Sequence, residues 1–215
     1  MKKVAVILSG CGVFDGTEIH EAVLTLHAIE KNGGTWHCFA PDIEQSQVLD
    51  HTSGETLDQT RNVLIESARI TRGQVADVAS LNVEEFDALL VPGGFGAAKN
   101  LTDFAFNGAQ CSINAHVASA CRAFAEQRKP AGYMCIAPVL MPMVYPQGVK
   151  GTIGQDPDTA AAFNALGGEH VNCPVDDIVF DQANQVVTTP AYMLAQSISE
   201  AASGIEKLVE KVLSL

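Results

Sequence analysis

Cys135 stands where a cysteine can do chemistry. In the stretch KPAGYMCIAPVLMPM (129–143), a short apolar run, Ala131-Gly132-Tyr133-Met134, enters it after Lys129-Pro130. Ile136-Ala137-Pro138 leaves it, with a proline near the first turn of a helical stretch. A cysteine on a sharp strand-to-helix turn presents its sulfur at the carboxyl edge of a sheet, with helix amides close by. Those amides and the positive end of the helix dipole favour thiolate, the nucleophilic form. A buried, inert cysteine is the other use of such a residue. The position on the elbow favours the nucleophile.

Two more strand ends carry unusual residues. Pro92-Gly93-Gly94-Phe95-Gly96 follows the run FDALLV (86–91), and Cys11 and Glu18 follow the first apolar run. A glycine pair lets backbone amides approach a reacting carbonyl closely, so the N–H groups of Gly94 and Ile136 are expected to form an oxyanion hole. Glu18 is the candidate proton carrier for Cys135 or for a bound substrate. It equally suits the commoner use of an acid at a helix start, stabilised by the dipole. Cys11 and Gly93 are candidate pocket residues, joined by Arg61 and Asn62 if the polar loop 42–60 brings them over the site. The plainer reading of Arg61, Asn62, Glu66 and Arg69 is a solvated helix face with an i,i+3 ion pair. His170, the only histidine after Cys135, sits near a strand start and reads as structural. The expected machinery is a Cys–Glu pair, with or without help from an upstream residue. No Cys/His/Asp/Glu grouping has metal-ligand spacing, and neither a metal nor an organic cofactor is expected.

The surrounding elements must place these residues on one edge. VAVILS (4–9) reads as a buried strand. Ile19, Ala22, Val23, Leu26 and Ile29 then recur at helical spacing up to Gly33-Gly34, and TWHCFA (35–40) is the next strand. This βαβ unit predicts an α/β fold with a mostly parallel sheet. RNVLIESARITR (61–72) reads as a short helix, Asn82-Val83-Glu84-Glu85 as a helix start, 86–91 as a strand, and 112–127 as a helix. Residues 151–153 read as a short strand, and Asp156-Pro157 opens a helix ending at Gly167-Gly168. Residues 178–180 and 185–189 suggest a hairpin or sheet edge. Leu194, Ile198, Ala201, Ile205, Leu208 and Val212 form one apolar face of a closing helix. No repeat or linker divides residues 1–215, so one domain is expected.

Composition bounds the partners. The formal net charge is −12, which argues against nucleic acid or an anionic membrane surface, since both need clustered Lys and Arg. No apolar run approaches the ~20 residues of a membrane span. Lys2-Lys3 precede an apolar run of only five residues, Val4 to Leu8, which reads as a strand rather than a signal segment. The six cysteines are scattered, and unpaired thiols suggest a reducing cytoplasm.

Together, Cys135 on its elbow, Gly93-Gly94 and Glu18 resemble the PfpI-type branch of the class I glutamine amidotransferase-like superfamily. The runs LSGCGVFDGTEIHEA (8–22), RNVLIESARITRG (61–73), VPGGFGAAKNL (91–101), CIAPVL (135–140) and VVTTPAYM (186–193) resemble more closely the ElbB glyoxalase subfamily of isoprenoid-biosynthesis or sigma cross-reacting proteins. That resemblance implies a flavodoxin-like three-layer sandwich, a homodimer, Cys135 as nucleophile and Glu18 as its partner. The implied activity is glutathione-independent conversion of the small dicarbonyl glyoxal to glycolate, or a deglycase activity of which this is the visible side. Many PfpI-type members place His directly after the nucleophile; this chain has Ile136. Two other uses of the same cysteine stay open: an amidotransferase-like subunit serving a synthase partner, and a redox sensor or holdase.

Overall fold

The computed structural model describes residues 1–215. Its centre is a seven-stranded sheet in the order β3-β2-β1-β4-β5-β9-β8. The strands are β1 (Lys3–Ile7), β2 (Thr35–Ala40), β3 (Val75–Asp77), β4 (Ala88–Val91), β5 (Ala131–Met134), β8 (Val179–Asp181) and β9 (Val186–Thr189). All neighbours are parallel except the edge strand β8, which runs antiparallel to β9. A separate two-stranded sheet pairs β6 (Lys150–Gly151) with β7 (Glu169–His170).

A strand buried on both faces needs apolar side chains at successive positions, and β1 has them. Val4, Val6 and Leu8 pack into one layer, while Ala5 and Ile7 pack into the other. The first layer carries α1 (Ile19–Lys31), α2 (Val63–Ile70) and α6 (Ile198–Ser214) through Ala22, Ile29, Val63, Ile205 and Leu208. On the second layer, α3 (Phe104–Asn107), α4 (Ala115–Glu126) and α5 (Pro157–Ala165) pack through Phe104, Val117, Phe124 and Phe163. The result is the expected three-layer, flavodoxin-like α/β/α sandwich.

Several local expectations shift. Asn62 and Asn114, inside the expected helices, are instead the caps of α2 and α4, each accepting backbone N–H bonds. Asparagine satisfies otherwise orphaned amides best from that position. Residues 82–85 make one 3-10 turn over Val83–Glu85, not the start of a longer helix. The stretch leaving the elbow is also a 3-10 segment, Ala137–Met143, with Pro142 inside it. Strand β3, with only three residues, and a single π-helical turn over Ala97–Leu101 carry no periodicity from which to read them.

Strand order reverses direction between β1 and β4. In such sheets that switch point leaves a crevice outside the carboxyl ends of the strands. Here the crevice is floored by two loops tied together: Glu18 N–H donates to Gly93 O (3.0 Å), Phe95 N–H to Val13 O (2.7 Å) and Gly96 N–H to Gly16 O (2.8 Å). Behind them, α2 offers Ser67 Oγ to the N–H of Gly10 at 2.9 Å. Asn100 binds the carbonyls of Ser9 and Asp15, both at 2.9 Å.

Candidate active site

Cys135 is the first residue beyond β5 and has φ +60°. A non-glycine residue in the left-handed region costs roughly 1–2 kcal/mol and persists only where its surroundings hold it. Its N–H donates to Thr189 O of the neighbouring strand at 3.1 Å. The residue is 7% exposed, and it opens into a cavity of about 340 Å³ lined by Val13, Gly94, Phe95, Ile136, Asp156, Thr159, Tyr192 and Met193.

The carboxylate that meets the sulfur belongs to Glu21, in the first turn of α1. Glu21 is completely buried. Its Oε2 accepts from Gly93 N–H at 2.9 Å and its Oε1 from Tyr192 N–H at 3.1 Å, and it accepts the Cys135 thiol. Burial first, and then the charge of Glu18, push the Glu21 carboxyl up to about 7, against the pull of those two amides. Glu18 itself is the N-cap of α1, its Oε2 accepting from Glu21 N–H at 2.7 Å. So the acid expected beside Cys135 is spent on its own helix, and the residue three positions later reaches the sulfur.

The periodicity explains the miss. Ile19 and Val23, expected to face inward, are 42% and 49% exposed, whereas Glu21, Ala22, Thr25, Ala28 and Ile29 are buried. The inward stripe of α1 is rotated toward Glu21. Thr25, one turn beyond Glu21 on that stripe, donates to Met134 Sδ at 3.5 Å. A second polar residue at i+4 was the available signal.

The thiol also departs from expectation. Burial first, and then the Glu21 charge, hold it well above the ordinary cysteine value, although the amides of Gly94 and Ile136 point at the sulfur and pull the other way. A short 3-10 segment lacks the aligned dipole of a long α-helix, so it cannot reverse this. Above about pH 7 the resting pair is a thiol donating to a carboxylate.

The glycine pair divides its labour. The Gly93 amide is committed to Glu21. The amides of Gly94 and Ile136 donate to no backbone carbonyl. A Cβ on Gly93 would lie 2.5 Å from Cys135 Cβ and 2.8 Å from Glu21 Oε2, so glycine lets the carboxylate and sulfur meet. Gly94 has φ +91° and no room for a side chain against Glu18 N and Gly16 O.

The other candidate pocket residues lie elsewhere. Arg61 pairs with Glu66 at 3.6 Å, beside the Glu66–Arg69 pair at 2.9 Å. Asn62 binds Asp42 at 2.7 Å. Cys11 sits against the same Glu66–Arg69–Arg61 group, its thiol raised chiefly by burial. None of the three lines the Cys135 cavity. The loop 42–60 does fold over this edge, but through Leu49 N–H to Asp15 Oδ2 (2.7 Å) and His51 Nε2, which accepts from Phe14 N–H (3.2 Å). His170 accepts from Ile153 N–H at 3.2 Å and is structural there.

No family model matches the chain. A rat protein named ES1 protein homolog, mitochondrial, is 45% identical over 223 residues, spanning 99% of this chain and 84% of its own. The human protein named glutamine amidotransferase-like class 1 domain-containing protein 3, mitochondrial, is also 45% identical, over 99% of this chain and 83% of its own.

The chain belongs to the ES1 family of glutamine amidotransferase-like class 1 proteins.

The crystal structure of an isoprenoid biosynthesis protein with an amidotransferase-like domain from Ehrlichia chaffeensis matches this ES1-family fold. The TM-score is 0.92 at 38% identity, with 99% of both chains covered. Drosophila melanogaster DJ-1beta shares the fold alone, at a TM-score of 0.56 and 17% identity. The glutamine amidotransferase-like class I grouping expected from Cys135, Gly93-Gly94 and Glu18 is borne out by these relatives. The cytoplasmic placement is overturned: the rat and human relatives, and one from Danio rerio, are named mitochondrial. All six cysteines are free, but free thiols report a reducing environment rather than a particular compartment.

Proposed function

We propose that this ES1-family chain is a glyoxalase that converts glyoxal to glycolate, with Cys135 as nucleophile and Glu21, in place of Glu18, as its proton carrier. The observation that carries the reading is the buried Glu21 carboxylate, fixed by two backbone amides against the Cys135 thiol. A carboxyl raised to about 7 is poised to accept and return protons near neutrality.

In this scheme the sulfur adds to one aldehyde carbon while the thiol proton passes to Glu21. The carbonyl electron pair moves onto oxygen, which the Gly94 and Ile136 amides receive. Glu21 returns the proton to that oxygen, giving a neutral hemithioacetal. The freed carboxylate then takes the C–H proton of the same carbon while the second carbonyl oxygen gains a proton, forming an enediol. Glu21 gives its proton to the neighbouring carbon as the hydroxyl on the sulfur-bearing carbon loses its own. The product is a thioester of glycolate, which water hydrolyses. Oxidation of one carbon balances reduction of the other, so no external oxidant enters. A deglycase role would use the same addition step on an aldehyde adduct.

The rival uses of Cys135 have less support. The cavity lining carries the carboxylate of Asp156 and no Lys or Arg with which to bind the α-carboxylate of glutamine. A buried thiol with a raised pKa is also a poor peroxide target, because sensing thiols are exposed and acidic. Glycolate formation from glyoxal tests the proposal. Cys135→Ala should abolish it, and Glu21→Gln should reduce kcat by about 100-fold or more. Glu18→Gln should keep most of it. Full activity in Cys135→Ala, or equal losses in both glutamate variants, would reject the assignment.

A further inference from the structure

Tyr192 is held at both ends. Its N–H donates to Glu21 Oε1 at 3.1 Å, and its hydroxyl lies 2.8 Å from His20 Nδ1, the two rings 5.7 Å apart. It lies on the 3-10 turn Ala191–Met193 immediately after β9 and lines the same cavity as Cys135. His20 follows the cap of α1 and projects outward, its side chain 49% exposed. Glu18 Oε1 stands 3.9 Å from the same Nδ1. A carboxylate beside that nitrogen favours the tautomer with hydrogen on Nδ1. With Nδ1–H donating to the phenol oxygen, the phenol's own hydrogen is left for another acceptor.

We propose that Tyr192 is a further catalytic residue of the dicarbonyl reaction, its hydroxyl binding and protonating the second carbonyl oxygen, and that His20 is the positioning residue that orients it. The inference rests on the glyoxalase reading above. When Glu21 takes the C–H proton, the C–H electron pair becomes the C=C bond of the enediol. The π pair of the second carbonyl takes the phenol hydrogen. The resulting phenolate is held by His20 Nδ1–H. As the enediol collapses to the thioester, the hydroxyl on the sulfur-bearing carbon gives its proton back to the phenolate. Tyr192 ends as it began. Burial, and then the charges of Glu18 and Glu21, raise its phenol above the ordinary tyrosine value, so it starts each cycle protonated.

The experiment compares kcat and KM for glyoxal in the wild type, Tyr192→Phe and His20→Ala, the last with and without added imidazole. It also measures the rate at which iodoacetamide alkylates Cys135 in each. Tyr192→Phe should lose about 100-fold in kcat, with KM and alkylation rate within about twofold of wild type. His20→Ala should lose less, and imidazole should restore it, because the site of His20 is open to solvent; imidazole should not restore Tyr192→Phe. Wild-type kcat in Tyr192→Phe overturns the role of Tyr192. So does a loss matched by slower Cys135 alkylation, which would mark a disturbed elbow. A His20→Ala loss that imidazole leaves unchanged overturns the role of His20. Absence of turnover in the wild type rejects the glyoxalase reading itself and this inference with it.

Discussion

Cys135 and Glu21 act as one titrating unit. The two effects have opposite sign: the carboxylate charge pushes the thiol up, whereas the thiol's hydrogen bond to Glu21, like its two amides, pulls the carboxyl down against burial and the Glu18 charge. Such pairs lose protons in steps that belong to both groups. Removing the charge should therefore separate reactivity from turnover. Glu21→Gln is expected to bring the pH profile of Cys135 alkylation by iodoacetamide to lower pH while glycolate formation collapses. A profile unmoved, or moved upward, would mean that Glu21 does not set the thiol's acidity. Gly93 makes the pairing possible. An alanine Cβ there would fall 2.9 Å from Cys135 Sγ, closer than a methyl and a sulfur can approach. Gly93→Ala should lower both turnover and alkylation by at least tenfold, whereas Gly33→Ala, where nothing lies within 4 Å of the new Cβ, should change neither.

Helix α1 is where sequence reasoning came nearest to the site and slipped. Its start, its length and its inward Ala22, Leu26 and Ile29 were legible, because apolar residues at helical spacing report burial. The role of Glu21 was not, because a charged residue on the same stripe contradicts that rule unless a partner across the fold is known. Its partners are Gly93, Tyr192 and Cys135, from three other strand ends. The strands were legible for the opposite reason: doubly buried parallel strands need unbroken apolar runs, and β1, β4 and β5 have them. Tyr192 and His20 were hidden because 172 residues separate them. The cap of α1 gives a separate test. Glu18→Ala removes the acceptor of Glu21 N–H, which should cost about 1 kcal/mol in urea unfolding. Because the Glu18 charge also raises Glu21, the acidic limb of the turnover profile should move to lower pH. A stability loss with an unmoved limb would show that the two carboxylates are uncoupled.

For the whole molecule, a buried carboxyl raised to about 7 is a cost of folding carried at neutral pH. In the unfolded chain Glu21 titrates near its ordinary 4.5; in the folded protein, burial and Glu18 move it to about 7. Between those values the folded state keeps a proton that the unfolded chain has released. Stability therefore falls as pH rises through this window and levels off above it. The contribution is fully present below pH 4.5 and lost by about pH 7. A shift of this size corresponds to at most about 3 kcal/mol. Acidic groups held below their ordinary values by hydrogen bonds, such as Asp181 with Lys150 N–H and Asn184, act in the opposite sense, at lower pH. Urea midpoints of wild type and Glu21→Gln at pH 5 and pH 8 report the part of the pH dependence that Glu21 and the groups coupled to it carry, since all other groups are common to both proteins. The wild type should lose about 1–3 kcal/mol more than the variant between the two pH values. Equal changes would mean that the carboxyl is ionised throughout this range, and that Glu21 is not tuned toward neutrality as the proton carrier of Cys135.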